Sequence, residues 1–145
     1  PLLRVFEKYA SRCGGVVNHR MWLDDSIMIK DTHLKNIDNI KEFVNNARNA
    51  MPFTSKIEIE CETVDMAQTA LEAGAEIIMC DNMSINEIKE VVLLRDKISK
   101  NTLIEVSGNI TKETLNEYKS LNIDAISSGS IIHQATWLDF SMKMQ

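Results

Sequence analysis

The sequence predicts an α/β fold, an open and incomplete α/β barrel of successive βα units with parallel strands, and three observations carry that prediction. Short strand-like runs begin near residues 26, 56, 76, 102 and 124, each followed by a stretch suited to a helix. Two of them, Ser26–Lys30 and Ile77–Cys80, are apolar almost throughout, the form of a strand covered on both faces. No GxGxxG follows any run, which disfavours a doubly wound dinucleotide-binding sheet. A closed eight-stranded barrel needs roughly 200 residues or more, so 145 residues accommodate part of one, with other strands upstream.

In chain order, Leu2, Leu3, Phe6, Tyr9 and Ala10 fall at helical spacing, Pro1 suits a helix start, and Gly14-Gly15 supplies the stop. A loop through His19 and Arg20 leads to the strand Ser26–Lys30. A helix follows with Ile37, Ile40, Val44 and Ala47 on one face, and Pro52 ends it. Lys56–Cys61 alternates with period two and is a strand. The next helix, about Val64–Ala73, is stopped by Gly74, a residue suited to the left-handed position past a helix end. After the strand ending at Asp81, Ser84-Ile85-Asn86-Glu87 has the spacing of a capping box and opens a helix to about Ile98. Thr102–Val106 is a strand that ends in Ser107-Gly108-Asn109. Thr111 caps a helix to Leu121, and Asp124–Ser127 is a strand that ends in Ser128-Gly129. The apolar tail from Ser130 to Gln145, with Trp137 and Phe140, predicts a short helix and a closing strand.

Hydrophobic residues make up 44% and charged residues 26%, with no low-complexity tract, so the chain reads as one globular unit. A net charge of -5 argues against a nucleic acid held by general attraction. A focused site for small anions is compatible with it. No run approaches the roughly 18 apolar residues of a membrane span, and no charged-then-apolar leader opens the chain, which predicts a cytoplasmic protein. Cys13, Cys61 and Cys80 are odd in number and lack CxxC spacing, predicting reduced core residues rather than a disulfide framework or a cysteine zinc site. The chain opens at Pro1 without methionine, directly into a helical run, which predicts a trimmed or partly represented polypeptide.

Candidate chemistry collects in two patterns. Asn18-His19-Arg20, one short strand before Lys30, concentrates cations in an acidic chain and predicts an anionic guest. Guanidinium offers a carboxylate or phosphate a planar fork, and ammonium offers a point charge. The second pattern is positional. Lys30, Glu60, Asp81, Ser107 and either Ser127 or Ser128 stand at the C-terminal ends of successive predicted strands, the barrel face on which sites are built. Ser107-Gly108-Asn109 and Ser128-Gly129-Ser130 each combine a hydroxyl, a glycine that lets backbone approach, and a following helix start. Paired loops of that kind bind phosphate, although one alone is also ordinary turn chemistry.

Glu60 and Asp81 admit two readings. Unpaired buried carboxylates cost several kcal/mol, so they hold Mg²⁺ or hydroxyls, or else they pair with Lys30 or Lys56. Glu58 shares the face of Glu60 and predicts a salt bridge inside the barrel, while Ile57, Ile59 and Cys61 face the helix layer. His33 and His133 read as helix caps or packing residues, and Met28, Met79 and Met83 as core filler.

Six of these stretches occur in register in one known family. Gly14-Gly15 with Asn18-His19-Arg20, Ile29–His33, Ile57–Glu60, Met79–Asn82, Glu105–Asn109 and Asp124–Ser127 through His133 closely resemble quinolinate phosphoribosyltransferase, the carboxylating nicotinate-nucleotide pyrophosphorylase of NAD biosynthesis. The resemblance implies a type II phosphoribosyltransferase, with an N-terminal mixed domain before an open α/β barrel, in a homodimer whose active site is shared. It implies a pentosyl transfer from phosphoribosyl pyrophosphate to quinolinate, with Mg²⁺, giving nicotinate mononucleotide, pyrophosphate and carbon dioxide. By resemblance His19, Arg20 and Lys30 hold the quinolinate carboxylates and nearby phosphate charge. Glu60 and Asp81 meet the ribose hydroxyls and the metal. Ser107, Gly108, Asn109, Ser128, Gly129 and His133 line the phosphate end.

Two positions depart from the family pattern: Trp22 stands where a glycine is expected, and Asn109 where many members have a second glycine. The family's Thr-Arg-Lys-Thr stretch belongs just before Pro1, so this stretch alone is expected to be inactive. A relative using another pyridine or aromatic acid, and a non-catalytic barrel fragment serving as a binding module, are the competing readings.

Overall fold

Five parallel strands lie side by side in chain order in a computed structural model that describes residues 3–144: β1 (Ile27–Ile29), β2 (Ile57–Cys61), β3 (Ile77–Asp81), β4 (Leu103–Ser107) and β5 (Ala125–Ile126). The sheet steps in one direction and does not close, as expected of part of an α/β barrel. Between and around the strands run α1 (Arg4–Cys13), α2 (Asp31–Leu34), α3 (Ile40–Ala50), α4 (Val64–Ala73), α5 (Ile85–Ile98) and α6 (Ser130–His133). The expected helix start at Pro1 and Leu2 and the tail's last residue, Gln145, lie outside the described residues.

Register separates the two faces of the sheet. Ile29, Ile59, Ile78 and Ile104 are aligned across four strands, and Cys61, Cys80, Val106 and Ile126 form a second row two residues further along. These rows face the helix layer, where Ala67, Ala70 and Leu71 of α4, Ile88 and Val91 of α5 and Val44 of α3 complete the buried core. Burying each isoleucine contributes roughly 1.5–3 kcal/mol. The small alanines let α4 lie close to the sheet. Because side chains alternate along a strand, the intervening residues, Glu58, Glu60, Met79, Asp81, Glu105 and Ser107, occupy the opposite, barrel-interior face.

Local sequence sets the helix ends. Thr63 Oγ1 accepts the Met66 N–H at 3.2 Å, and Asn39 Oδ1 accepts that of Glu42 at 3.1 Å. Ser84 and Glu87 form the reciprocal capping box that their spacing predicts. Gly74 ends α4 at φ +86°, which L side chains rarely adopt. The buried Arg95 of α5 donates to the carbonyls of Thr102 and Asn122, tying that helix to the approaches of β4 and β5.

Three expectations about the elements change. The helix predicted after β1 divides: His33 Nδ1 accepts the Lys30 N–H at 3.0 Å and stabilises the short α2, so α3 begins only at Ile40 and Ile37 packs from the turn between them. The helix predicted from Thr111 to Leu121 reduces to a 3₁₀ turn over Leu115–Tyr118. Thr114 Oγ1 accepts the Thr111 N–H and also donates to the Thr111 carbonyl, so a side chain competes with the helical ladder. Among the described residues the tail forms α6 and no closing strand. Its only neighbour would be β5, which offers two residues of edge, and Trp137 and Phe140 stand almost fully exposed.

Two of the three cysteines lie in the core as expected, and Cys13 does not. Cys61 and Cys80 are register partners inside the core, and burial pushes both thiols up to about 12. Cys13 is exposed at the end of α1. Since the thiolate is the reactive form, an aromatic disulfide reagent at about pH 8 is expected to titrate one thiol in the folded protein and three after denaturation. Fast reaction of a second thiol in the folded state would show that the β2–β3 core opens.

Candidate active site

The strand ends bring three predicted residues together. Lys30 Nζ donates to Glu60 Oε2 at 2.9 Å, joining the end of β1 to the end of β2. Glu60 is buried, and half of the Lys30 side chain is exposed. The hydrogen bond to Glu60 raises the Lys30 pKa above its ordinary value against a smaller opposing effect of burial, and the charges of Glu60, Asp81 and Asp31 add to it. Asp81, at the end of β3, is the register partner of Ser107 at the end of β4. It accepts a hydrogen bond from Asn82 Nδ2 at 2.9 Å. Lys56 stands at the opposite end of β2, before Ile57, so Lys30 is the cation that meets the strand-end carboxylates.

That pair has a pH signature with a definite sign. Folding raises the Lys30 pKa, so its contribution is fully present below the unfolded lysine value and is lost as pH rises through the folded one. The stability difference between the native protein and Lys30→Met, measured by urea denaturation, is expected to hold steady between about pH 6 and pH 9 and to shrink above about pH 10.4. A difference that instead vanished on acidification to about pH 6 would assign the effect to another group.

Arg20 is half-buried. Its guanidinium donates to the carbonyls of Leu23 and Ser26 at 3.2 and 3.1 Å and touches Met28 Sδ at 3.3 Å. With Lys30 and His33 it lines a recess of about 420 Å³ beside β1, where its charge is fixed by backbone contacts. His19 points elsewhere. Its Nε2 lies 3.3 Å from Glu58 Oε2 and 3.5 Å from Glu105 Oε2, and its Nδ1 accepts the Arg20 backbone N–H at 2.8 Å. The partner of Glu58 inside the barrel is therefore His19, and because Nδ1 accepts an N–H the ring meets it through Nε2–H and not in the predicted salt bridge. Burial, and next the Glu105 carboxylate, raise the Glu58 pKa, while His19 and Arg20 oppose them.

A larger cleft of about 910 Å³ lies between α1 with its following loop and the ends of β4 and β5. Lys8, His19, Ser107, Ser127, Ser128 and Gly129 are among its lining. The two Ser-Gly loops thus meet at one opening. Gly108 adopts φ +96°, and a methyl group there would fall 2.3 Å from Asn82 Oδ1 and 2.7 Å from the Asn82 backbone nitrogen. Asn109 Nδ2 donates to the same Asn82 Oδ1 at 2.9 Å, and the Asn82 N–H to the Ser107 carbonyl at 3.0 Å, so the β3 and β4 loops are locked together. Ser128 Oγ donates to the Ile110 carbonyl, as does Ser130 Oγ at 3.0 Å. His133 is exposed, and its ring stands over Gly129.

The predicted residues accordingly divide mainly between a recess along the β1 edge and the cleft at the ends of β4 and β5, and a third recess is lined by both His19 and Arg20. Arg20 and Lys30 line the first; His19, Ser107, Ser128 and Gly129 line the second; Gly108, Asn109 and His133 line neither; Glu60 and Asp81 stand at the strand ends beside Lys30. Sequence reasoning assigned no role to Glu105, whose Oε2 faces His19 and whose Oε1 accepts from the Ser127 hydroxyl. The signal was present: a carboxylate in the middle of an apolar strand, as at Glu58.

Comparison with known proteins bears on the whole chain. Residues 1–143 match the family described as quinolinate phosphoribosyl transferase, C-terminal domain. A probable nicotinate-nucleotide pyrophosphorylase [carboxylating] of Synechocystis is 40% identical over 99% of this chain and 49% of its own length. The human nicotinate-nucleotide pyrophosphorylase [carboxylating] is 35% identical over 99% of the chain and 48% of its own. Among solved structures, NadC from Streptococcus pyogenes superposes with a TM-score of 0.87 at 44% identity, covering 99% of this chain and 50% of that one. The chain spans about half the length of the relatives it matches. A match across nearly every residue, on a fold whose strand ends carry the expected side chains, settles the relationship: the chain belongs to the quinolinate phosphoribosyl transferase family and represents its C-terminal domain.

Proposed function

We propose that the protein containing this chain transfers a phosphoribosyl group from phosphoribosyl pyrophosphate to quinolinate with decarboxylation, giving nicotinate mononucleotide, pyrophosphate and carbon dioxide in NAD biosynthesis. The observation that carries the reading is the Lys30–Glu60 pair with Asp81 at the ends of three consecutive strands, in a chain that matches this family over residues 1–143. Departure of pyrophosphate leaves positive charge on the ribose, and fixed carboxylates on the barrel face stabilise it without reorganising. Glu60 and Asp81 fill that role and accept hydrogen bonds from the ribose hydroxyls.

Lys30 and Arg20 supply the cations for the carboxylates of the diacid, held in place by Glu60 and by the Leu23 and Ser26 carbonyls. Fixed charge of this kind orients the pyridine nitrogen toward the reacting carbon. His19 joins them by turning a ring N–H toward a substrate carboxylate. Ser107, Gly108, Asn109, Ser128, Gly129 and His133 receive the phosphate end at the cleft where their loops meet.

Two hard oxygen donors at adjacent strand ends suit Mg²⁺, which is commonly bound by one or two carboxylates together with substrate oxygens. Glu60 and Asp81 would hold it, and when bound it would neutralise charge on the leaving pyrophosphate. In this reading the working protein is a cytoplasmic homodimer or higher homo-oligomer with a shared site. Among the described residues no helix is long and apolar enough to cross a membrane.

Product analysis by mass spectrometry tests the reading. The intact polypeptide is given Mg²⁺, phosphoribosyl pyrophosphate and, in separate tubes, quinolinate or nicotinate. Nicotinate mononucleotide with carbon dioxide from quinolinate alone is the expected result. Product from nicotinate alone would move the activity to a relative without decarboxylation, and no product from either would leave a binding module.

A further inference from the structure

Glu58, Glu105 and His19 form a cluster whose two carboxylates the transfer chemistry does not use. Glu58 and Glu105 rise from β2 and β4 into the barrel interior, only 1% and 5% exposed. His19 Nε2 stands 3.3 Å from one carboxylate and 3.5 Å from the other, and all three potential ligand atoms lie within 4.8 Å of one another. Donors run short here. Glu105 Oε1 takes the Ser127 hydroxyl, while Glu58 Oε1 is fully buried without a hydrogen-bond partner among the described residues. Two buried carboxylates share one imidazole and one hydroxyl, in a region where an unpartnered polar oxygen is costly. A single divalent cation would satisfy both carboxylates.

We propose that Glu58, Glu105 and His19 form a binding site for a divalent transition-metal ion, zinc first, separate from the magnesium site read at Glu60 and Asp81. A cation about 2.1 Å from each of two tetrahedral ligands holds those ligands about 3.4 Å apart, which both contacts of His19 Nε2 match. One imidazole with two carboxylates suits zinc and its first-row neighbours, whereas magnesium takes oxygen ligands. The Ser127 hydroxyl on Glu105 Oε1 is the kind of outer contact that orients a ligating carboxylate and leaves Oε2 for the metal.

Without metal, the Arg20 N–H on Nδ1 places the imidazole proton on Nε2. Zinc takes the Nε2 lone pair, so that proton moves to Nδ1, the bond from Arg20 breaks and the ring turns slightly. About a third of the His19 side chain is exposed, which leaves it room. The bound ion then pins the loop carrying Arg20 to β2 and β4.

Calorimetric titration of zinc, manganese and magnesium chlorides into the chelator-treated intact polypeptide tests this. One zinc per chain is expected, bound about tenfold or more tighter than magnesium. Glu105→Gln and Glu58→Gln are expected to weaken it about a hundredfold, and so is His19→Gln, a surface change that preserves the core. Glu60→Gln keeps the zinc affinity. Nitrogen-15 spectra of the His19 ring are expected to pass from the Nε2–H to the Nδ1–H form as zinc is added. No stoichiometric zinc, a preference for magnesium, equal binding by all variants, or zinc bound with the tautomer unchanged would each overturn the proposal. Product formation followed in the same samples separates the two readings: absent phosphoribosyl transfer with intact zinc uptake refutes the activity alone, and the converse refutes the metal site alone.

Discussion

Replacing Glu60 by glutamine in the intact polypeptide is expected to lower kcat/KM for the proposed phosphoribosyl transfer by about 10²–10³-fold, the scale on which removal of one preorganised electrostatic contact acts. Glutamine keeps the shape of the side chain and an acceptor oxygen, so the loss reports the charge. Glu60 sits at the end of β2, buried and bonded to Lys30 at 2.9 Å, and its negative charge is therefore already fixed before substrate arrives. In the proposed mechanism that charge faces a ribose carbon that turns positive as pyrophosphate leaves. The fall is expected in kcat more than in KM for the diacid, because the interaction strengthens in the transition state. Steady-state kinetics with circular dichroism as a control for folding make the measurement. A kcat within a factor of about three of wild type would remove Glu60 from the mechanism and return the Lys30–Glu60 pair to a purely structural role.

The second large effect falls on stability. Gly108→Ala places a side chain at φ +96°, a conformation whose strain is of order 1–3 kcal/mol for a non-glycine residue. The added carbon also collides with Asn82, at 2.3 Å from Oδ1 and 2.7 Å from the backbone nitrogen, and backbone cannot step aside as a flexible side chain does. Overpacking of this kind costs about 1–3 kcal/mol more. The variant is expected to lose roughly 2–5 kcal/mol in urea denaturation, or to separate the β3 and β4 loops and lose affinity for inorganic phosphate. Denaturation and phosphate binding both within error of wild type would mean that the contact with Asn82 is not maintained in solution. Gly129 is the contrasting case. Its φ of -73° is ordinary, and only the edge of the His133 ring stands near the position of an added methyl group. Gly129→Ala is therefore a mild change.

Glu58 and Gly108 illustrate two different degrees of legibility. That Glu58 faces the barrel interior follows from its place in Ile57-Glu58-Ile59-Glu60, since alternation within a strand is a local property. The partner that completes it, His19, reaches it from a loop before β1, and no spacing rule connects the two. Gly108 reads as a residue that lets backbone approach, but which backbone approaches is decided by the adjacent strand, through Asn82.

By itself the sequence determined the parallel strands, their boundaries to within a residue or two at β2, β3 and β4, the helix ends at Ser84 and Gly74, and the row of candidate side chains at the strand ends. These follow from alternation, apolar periodicity and turn chemistry, which act over a few residues. Only the tertiary structure decided that Lys30 pairs with Glu60, that Arg20 bonds the Leu23 and Ser26 carbonyls, and that Glu105 shares His19 with Glu58. It also decided that the tail adds no strand among the described residues. In each case the deciding energy is the desolvation of a charge, or the presence of a neighbouring edge, and both depend on what folding brings alongside.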